Sequence, residues 1–432
     1  MKAGIAKKLI TPSVGVDLTG YVGRSGPSIG VHDDLYARAL VLDDEATRIG
    51  IISLDLIGTD MAQDAALREE ISKATGIPRR NLLIGSSHTH SGPACQHLRQ
   101  CGTPDAEIVR KIMSQIVEVA IEANDKLADA RLSFATAESE LGWNRRQWVI
   151  EAKVQQSPTS GLITDHTVSG LRVEIDGQEP VLLFNYACHG VIMGPDNLEL
   201  SADWIGQARR TMESSGAAGT AMFLQGCCGN TNPSYRGTFE LAQKAGEAVA
   251  KPLLAALADA KPVENPKIRV AWRDIELPYM PLPPADELEQ LVSQRKSELA
   301  KLQADGVPEV QTQIPKAMLG WAQDALKTVT DGGPESVKIG LQAIAIGGLV
   351  LTALPGEAFC EYGLAFRKMT AADVLPVGYA NGNIGYIPTA EAYQEGGYEP
   401  AEAIKYYAVQ MISPESEQII LRTMAELLTE VA

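Results

Sequence analysis

The chain of 432 residues contains 54 acidic and 38 basic side chains, which gives a formal charge of −16 at pH 7. This negative charge argues against binding to nucleic acid or to an anionic membrane surface, because both would repel it. The length is sufficient for a large hydrophobic core and would by itself allow two or three domains.

The sequence also bears on the cellular compartment. The N-terminal stretch MKAGIAKKLITP lacks a long apolar segment, and no run of eighteen apolar residues occurs, so neither a secretory signal nor a membrane span is predicted. The six cysteines show no regular spacing and no C-x-x-C pair, which argues against a disulfide framework or a zinc knuckle. We therefore expect a cytoplasmic protein with reduced thiols.

The most informative segment is LLIGSSHTHSGP, at residues 82–93. Its apolar start predicts a buried strand, and His88 and His90 follow two positions apart. On an extended backbone, residues i and i+2 point to the same side, so we expect both imidazoles to face one space. Imidazole is the commonest metal ligand in proteins, and open α/β sheets bind their ligands at strand ends. The pair predicts a metal site, with two hydrogen-bonded structural histidines as the alternative.

A second histidine follows another apolar strand. The segment VLLFNYACHG, at residues 181–190, predicts a strand that delivers His189 at its end. The next segment predicts a helix, with Ser201 or Asp203 as its cap. Alone, His189 is more typical of a core histidine, but next to a histidine pair that needs partners it becomes a candidate ligand.

Residues 267–340 depart from this alternation of strands and helices. Apolar residues at helical spacing predict one amphipathic helix in PPADELEQLVSQRKSELAKLQADG and a second helix in KAMLGWAQDALKTV. Together they predict a helical hairpin over residues 283–332. A lid, a contact between subunits of a homo-oligomer and a solvated addition are all compatible with the pattern.

Two later segments supply further polar groups. In LVLTALPGEAF, at residues 349–359, Glu357 follows a predicted strand and a Pro-Gly turn. A carboxylate there can ligate a metal or act as a base, or it can cap the helix that follows. The segment YANGNIGYIPTAEAYQEGGYE, at residues 379–399, combines tyrosines with glycines that allow a tightly shaped backbone. Such a loop can surround a pocket or simply pack.

Taken in order, these motifs resemble the catalytic domain of the neutral/alkaline (non-lysosomal) ceramidases, which are zinc-dependent amidases. The resemblance runs from AGIAKKLITPSVGVDLTGY and GVHDDLYARALVL, through SSHTHSGP, NYACHG and LPGE, to the tyrosine-rich segment. It implies an α/β fold with mixed sheets flanked by helices. Because it spans nearly the whole chain, it also implies a single domain, residues 1–432, in which the hairpin is an insertion.

The resemblance implies a role for each matching residue. It assigns the zinc ion to His88, His189, Glu357 and Tyr386, and it gives His90 the handling of a proton or of the substrate oxyanion.

Further substrate contacts are implied at two places. Tyr398 lies twelve positions after Tyr386, the spacing at which the family has a second active-site tyrosine. In WNRRQ, either Arg145 or Arg146 matches the family's substrate-side arginine.

The sequence departs from the family at the nucleophile. Ceramidases carry a serine in a segment of the form G-[ND]-x-S-P, whereas the matching stretch LQGCCGNTNP, at residues 224–233, has Asn232 before the proline. An amide cannot become an alkoxide, so the serine mechanism is not available here. Thr231 lies one residue away and would point elsewhere on an extended backbone. Cys227 or Cys228 could act covalently if its pKa were lowered.

The simpler interpretation is direct attack by zinc-bound water on an amide or ester, with Asn230 or Asn232 donating hydrogen bonds. The low aromatic content of 5% and the lack of an evident membrane-docking helix favour a small soluble metabolite over a sphingolipid. Two other classes stay open. One is a metal-dependent lyase or isomerase acting on a sugar-like or hydroxy-carbonyl substrate, and the other is a metal-binding protein without activity.

Overall fold

The computed structural model describes residues 1–146 and 163–432. Its strands are β1 (Lys2–Leu9), β2 (Gly30–Val31), β3 (Tyr36–Asp43), β4 (Arg48–Leu54), β5 (Leu82–Ser86), β6 (Ala128–Glu138), β7 (Gly142–Asn144), β8 (Thr167–Ile175), β9 (Val181–Tyr186), β10 (Glu199–Leu200), β11 (Thr220–Gln225), β12 (Thr231–Pro233), β13 (Lys261–Pro262), β14 (Ile268–Pro278), β15 (Ser336–Ile346), β16 (Leu349–Ala353), β17 (Glu357–Ala358), β18 (Asp373–Val377) and β19 (Tyr386–Ile387). Its α-helices are α1 (Met61–Thr75), α2 (Ala106–Asp125), α3 (Asp203–Ser214), α4 (Phe239–Ala256), α5 (Ala285–Ala304), α6 (Glu309–Asp331), α7 (Cys360–Lys368), α8 (Ala390–Glu395) and α9 (Ser416–Val431).

Two sheets form the centre of the molecule. The larger has the strand order β11-β9-β8-β6-β1-β3-β4-β5, with β13 also paired to β6, and the smaller has the order β14-β15-β16-β18. Both are mixed: β4–β5, β9–β11 and β16–β18 are parallel pairs, and most of the others are antiparallel. The predicted α/β fold with mixed sheets flanked by helices is confirmed.

Strand β3 explains the layering. Leu40 and Leu42 belong to the same buried cluster as Leu351 of the smaller sheet, whereas Val41 packs with Ile116 of α2. Because successive strand residues point to opposite faces, one face of the larger sheet packs on the smaller sheet and the other on helices. Helices α3 and α4 cover the same outer face farther along, and α9 covers the outer face of the smaller sheet.

The two edges of the larger sheet approach each other, and this brings its strand ends together. The hydroxyl of Ser53 in β4 donates to the carbonyl of Phe223 in β11 at 2.6 Å. The side-chain amide of Gln225 then donates to the carbonyls of Ser87 and Cys188, both at 2.9 Å. The segments that follow β5, β9 and β11 therefore meet at one place, although these strands are far apart in the strand order.

The predicted helical hairpin is formed by α5 and α6, between the antiparallel neighbours β14 and β15. Helix α6 begins earlier than its apolar pattern indicates, at Glu309, and runs through Pro315. On the domain, the Gln313 side chain accepts a hydrogen bond from the Gly23 amide at 2.7 Å, and Asp324 pairs with Arg99 at 2.6 Å. The hairpin thus packs on loops of the domain, and whether it is a separate insertion remains a prediction.

Two features that bear on the environment of the chain can be read from the structure. All six cysteines are buried and unpaired. In the part of the chain that the structure describes, no helix is both long and apolar enough to cross a membrane.

A buried ion cluster holds the loop that follows β4. The fully buried Asp55 carboxylate accepts hydrogen bonds from Arg209 at 2.6 and 2.8 Å, from Arg38 at 3.2 Å and from the Tyr36 amide at 2.8 Å. Burial, together with the nearby charge of Arg209, lowers the pKa of Arg38 to about 10. The guanidinium groups of Arg38 and Arg209 therefore share this carboxylate as their counter-charge.

We expect Asp55→Ala to lower the free energy of unfolding by about 3–5 kcal/mol, because it leaves buried charges without a counter-charge. Asp274→Ala is the control, since it removes only exposed contacts, the pair with Arg80 and the hydrogen bond from Trp272, and should cost less than about 1 kcal/mol. Denaturant unfolding of both variants measures the difference. An Asp55 variant no less stable than the control would contradict the role given to this cluster.

Candidate metal centre

The structure places His88 two residues beyond the end of β5. Its φ angle of 60° lies in the left-handed region, where non-glycine residues are uncommon and strained. The amide of His88 donates to the carbonyl of Leu56 at 2.9 Å, which holds this conformation. The prediction of an extended backbone through the HTH motif is therefore wrong. His88 and His90 converge because the chain turns at His88, not because they alternate along a strand.

The three predicted histidines come together with the predicted glutamate. Nε2 of His90 lies 3.2 Å from Nε2 of His88, and the ligand atoms of His88, His90 and His189 all lie within 4.8 Å of one another. Oε2 of Glu357 is 3.2 Å from Nε2 of His189 and 3.4 Å from Nε2 of His88. His88, His189 and Glu357 are each at most 2% exposed.

The hydrogen bonds of Nδ1 indicate the tautomer of two histidines. Nδ1 of His88 lies 2.7 Å from the Ile57 carbonyl oxygen, and Nδ1 of His189 lies 2.8 Å from that of Cys228. A carbonyl oxygen can only accept, so each Nδ1 carries a proton, and in the neutral form of either ring Nε2 presents a lone pair. Burial and the charge of Arg145 lower the pKa of His189 to about 4, which keeps that ring neutral.

When both rings are neutral, the Nε2 lone pairs of His88 and His189 face Oε2 of Glu357 with no proton between them, and these atoms repel one another. A cation among them removes this repulsion, and two imidazoles with one carboxylate form a ligand set known for catalytic zinc. The backbone carbonyls behind the rings match the outer contacts that orient metal-bound histidines. The residues present therefore fit a zinc ion.

Glu357 does not cap a helix. It lies in β17, paired with Tyr386 of β19, and α7 begins only at Cys360. The hydroxyl of Tyr379 donates to Oε2 of Glu357 at 3.1 Å, and that of Tyr407 donates to Oε1. Burial raises the pKa of Glu357, whereas His88 and His189, in their protonated forms, lower it well below its usual range through their charge and their Nε2–H hydrogen bonds. The carboxylate is thus charged and fixed in orientation.

His90 is held differently from the other two histidines. Its Nδ1 is buried and has no hydrogen-bond partner among the described residues. The ring packs on Tyr21 with a centroid separation of 4.9 Å. A Cβ at Gly20 would lie 2.5 Å from Nδ1 of His90, so only glycine leaves room for the ring. Burial and the two neighbouring imidazoles keep the pKa of His90 well below its usual value.

The two arginines left open by the sequence have different surroundings. Arg145 donates to the hydroxyl oxygen of Tyr386 at 2.9 Å and to Oδ1 of Asn232 at 3.3 Å. Arg146 is buried and pairs with Glu395 and Glu399, each at 2.8 Å. Of the two, Arg145 is the one that contacts other predicted site residues.

The two predicted asparagines also have different surroundings. Asn230 is fully buried, and its side chain donates to Glu361 at 2.9 Å and accepts from the Cys360 amide at 2.9 Å. The structure therefore does not bring its amide to the histidines. Asn232 lies in β12 beside Arg145, and Tyr398 is 46% exposed at the start of a π-helical turn.

The cysteines of the GCCGN turn are buried in a close-packed backbone. A Cβ at Gly229 would clash with the carbonyl of Glu357, which explains the glycine. Burial raises the pKa of Cys227 to about 12 and raises that of Cys228 well above its usual value. Both thiols are therefore protonated at neutral pH and are poor nucleophiles.

We expect Cys227→Ala and Cys228→Ala each to keep activity within roughly tenfold of the parent, a barrier change of about 1.4 kcal/mol. The reason is that neither thiol is ionised. Steady-state kinetics on both variants provides the measurement. A loss of several orders of magnitude, or a trapped thioester, would mean that catalysis is covalent.

A cavity opens onto the cluster, with a volume of about 200 Å³. It is lined by histidines, tyrosines and apolar side chains: Gly20, Tyr21, Val22, Ile57, His88, His90, Leu98, Cys101, Glu357, Tyr386, Tyr398, Tyr406 and Tyr407. Sequence reasoning missed Tyr407, which lies outside every motif considered, and Tyr21, which ends the motif AGIAKKLITPSVGVDLTGY but was given no role there. Tyr379 lies in the tyrosine-rich segment, but nothing in the pattern distinguished it there.

The fold and the site thus define a mixed α/β protein with a buried histidine–carboxylate centre at the strand ends. The family model described as neutral/alkaline non-lysosomal ceramidase, N-terminal, matches residues 2–255, which is more than half of the chain. The chain belongs to the neutral/alkaline non-lysosomal ceramidase family.

Individual relatives are more distant. The neutral ceramidases of Drosophila pseudoobscura pseudoobscura and Drosophila melanogaster are each 26% identical over 239 residues, which is 49% of this chain and 32% of theirs. The neutral ceramidase of Mycobacterium tuberculosis (strain ATCC 25618 / H37Rv) is 44% identical over 66 residues, 14% of this chain and 10% of that protein. The matched region spans about a third of the length of the fly relatives.

Two solved structures share the fold over nearly the whole chain. The crystal structure of neutral ceramidase from Pseudomonas aeruginosa has a TM-score of 0.75 at 17% identity, covering 99% of this chain and 73% of that one. A ceramidase complexed with C2 has a TM-score of 0.76 at 19% identity, covering 99% and 74%.

Proposed function

We propose that this protein is a zinc-dependent hydrolase that cleaves an amide or ester bond of a small soluble metabolite, with water as the nucleophile, and that it is not a true ceramidase. The proposal depends on one observation: Nε2 of His88 and Nε2 of His189 converge on Oε2 of Glu357 in a buried pocket. When bound there, zinc supplies a Lewis acid that polarises a carbonyl and lowers the pKa of water. Family membership supports a hydrolase.

In this proposal His88, His189 and Glu357 hold the metal, with Tyr386 as a fourth or variable ligand. The carbonyls of Ile57 and Cys228 fix the two rings. The hydroxyl oxygen of Tyr386 accepts from Arg145 at 2.9 Å, which holds the hydroxyl in place.

His90 is assigned to proton transfer or to the substrate oxyanion. Its distance from His88 would also allow it to be a ligand. However, a metal-bound histidine almost always donates its other ring N–H to a fixed partner, and Nδ1 of His90 has none among the described residues. Of the three histidines, His90 therefore lacks the outer contact that is typical of a metal ligand. Its ring lines the cavity beside the ion site.

Three further residues of the predicted site have supporting roles. Arg145 orients Tyr386 and contacts Asn232, and Tyr398 lines the cavity as a substrate contact. Asn230 orients the chain behind the centre through Cys360.

Two observations support a substrate other than ceramide. Asn232 stands where the resembling family has its serine, and it accepts a hydrogen bond from Arg145. The cavity of about 200 Å³ is smaller than the sites that usually enclose drug-sized ligands. We also propose a cytoplasmic setting, in keeping with six unpaired cysteines. A homo-oligomer and the absence of nucleic-acid and membrane partners remain predictions.

The test combines elemental analysis with a panel of amides and esters, including a short-chain ceramide, assayed with and without chelator. We expect about one zinc per chain, with turnover that chelation removes and added zinc restores. Full turnover by the metal-free protein would contradict zinc dependence, and preferred cleavage of the ceramide would contradict the substrate class. Exchange of substrate protons with solvent in the absence of hydrolysis would instead identify a lyase or isomerase.

A further inference from the structure

A second cavity, with a volume of about 400 Å³, lies beside the metal pocket. Three arginines line it, Arg145, Arg146 and Arg236, and the aromatic side chains of Trp143 and Tyr398 flank them. Tyr398 also lines the metal pocket, so the two cavities are neighbours. A concentration of arginines is unexpected in a chain with a formal charge of −16.

Among the described residues, the positive charge of this cavity is not fully compensated. Arg146 pairs with Glu395 and Glu399, and Arg145 shares Glu399. These two carboxylates thus offset the charges of two guanidinium groups. Arg236 is exposed, and within residues 1–146 and 163–432 it forms no ion pair. One guanidinium therefore remains available to a ligand.

The charge of Arg236 also reaches the metal pocket. Burial raises the pKa of the Tyr21 phenol, and among the charges that oppose this effect Arg236 has the largest influence. Tyr21 packs on His90 and lines the metal pocket. A ligand held by Arg236 is thus electrostatically near the proposed reaction centre.

We propose that this arginine-lined cavity binds an oxyanion group of the substrate, a carboxylate or a phosphate. The guanidinium fork of Arg236 matches the geometry of either group, and the rings of Trp143 and Tyr398 provide apolar walls next to it. The substrate is then an anionic amide or ester, with its acidic group at Arg236 and its scissile bond at the metal centre. The second half of this statement rests on the proposed function, whereas the anion site does not.

The anion site is tested by calorimetry on the full chain with glutarate, inorganic phosphate and the neutral analogue glutaramide, in the presence of chelator so that no metal can bind the probe. We expect at least one anion to bind, glutaramide not to bind, and Arg236→Gln to weaken the binding at least tenfold. Arg236→Lys should restore part of it. Arg210→Gln, at an exposed arginine on α3, is the matched control and should have no effect.

Each outcome separates the possibilities. Tighter binding of glutarate or of phosphate identifies the oxyanion. No binding of either anion, or binding that Arg236→Gln leaves unchanged, overturns the site. Because chelated protein is used, a failure of the hydrolase proposal leaves this result intact. Conversely, if a hydrolysed substrate is found, Arg236→Gln should raise the KM for its acidic form at least tenfold. The KM for the analogue in which that acidic group is a neutral amide should not change. Hydrolysis without this difference overturns the substrate class but not the metal centre.

Discussion

Alanine at position 88 or 189 is expected to remove the zinc ion and nearly all activity. Each histidine supplies one Nε2 that faces Oε2 of Glu357, so either variant keeps only part of the ligand set. We expect zinc content to fall from about one per chain to a small fraction, and kcat/KM to fall at least ~1,000-fold, about 4 kcal/mol. Elemental analysis after gel filtration and steady-state kinetics measure the two effects.

The control for this experiment is His97→Ala. His97 is exposed and lies outside the cluster, so its replacement should leave zinc content and turnover unchanged. Circular dichroism establishes whether each variant is folded, because His88 and His189 are buried and their loss also leaves a cavity. A folded His189→Ala protein with full zinc occupancy would show that the ligand set is wrong.

The elements around the site could be predicted because their signals are local. The apolar runs at residues 82–86 and 181–186 become strands β5 and β9 with the expected ends. The charged and apolar pattern at residues 283–332 becomes a helical hairpin. In each case a few consecutive side chains determine the period, and the period determines the element.

Both side chains predicted as caps of the helix after His189 accept hydrogen bonds at its start, and one of them has a further, tertiary role. Helix α3 is preceded by Ala202, which has no capping side chain, but the Ser201 hydroxyl accepts from the Asp203 amide at 2.9 Å and the Asp203 carboxylate accepts from the Trp204 amide at 2.7 Å. Asp203, at a φ of 56°, accepts hydrogen bonds from the amides of Ile192 and Met193 at 3.1 and 3.0 Å. Its carboxylate thus shapes the loop after His189, and burial raises its pKa to about 6. A capping rule reads only neighbours in sequence and cannot anticipate such a contact.

The composition of the site also depended on contacts that no motif contains. Tyr407 reaches Glu357 across fifty positions, and Tyr379 contacts both Glu357 and Cys228. Arg145 and Arg146 are adjacent and identical in type, so only the register of the chain decides which one contacts Tyr386. The sequence could identify the candidate ligands, whereas their orientation follows from the way the sheet edges meet.

The second large effect is expected at His90. We predict that His90→Ala keeps its zinc and still loses about a hundred- to ten-thousand-fold in kcat, the usual contribution of a positioned imidazole to proton transfer. The physical basis is a difference in the hydrogen bonding of Nδ1. The Nδ1 atoms of His88 and His189 are fixed by carbonyl oxygens. Nδ1 of His90 has no partner among the described residues. Zinc content and kcat measured on the same preparation test both halves.

A matched variant separates chemistry from packing. Tyr21→Leu removes the ring that packs on His90 but leaves the imidazole in place, so we expect a smaller loss, within roughly tenfold. If the His90→Ala protein loses its metal together with its activity, His90 is a ligand. Removing a group that only transfers protons should not release the ion. The proton-handling role would then pass to Tyr398, which lines the same cavity, and Tyr398→Phe would have to show the large loss in kcat with zinc retained.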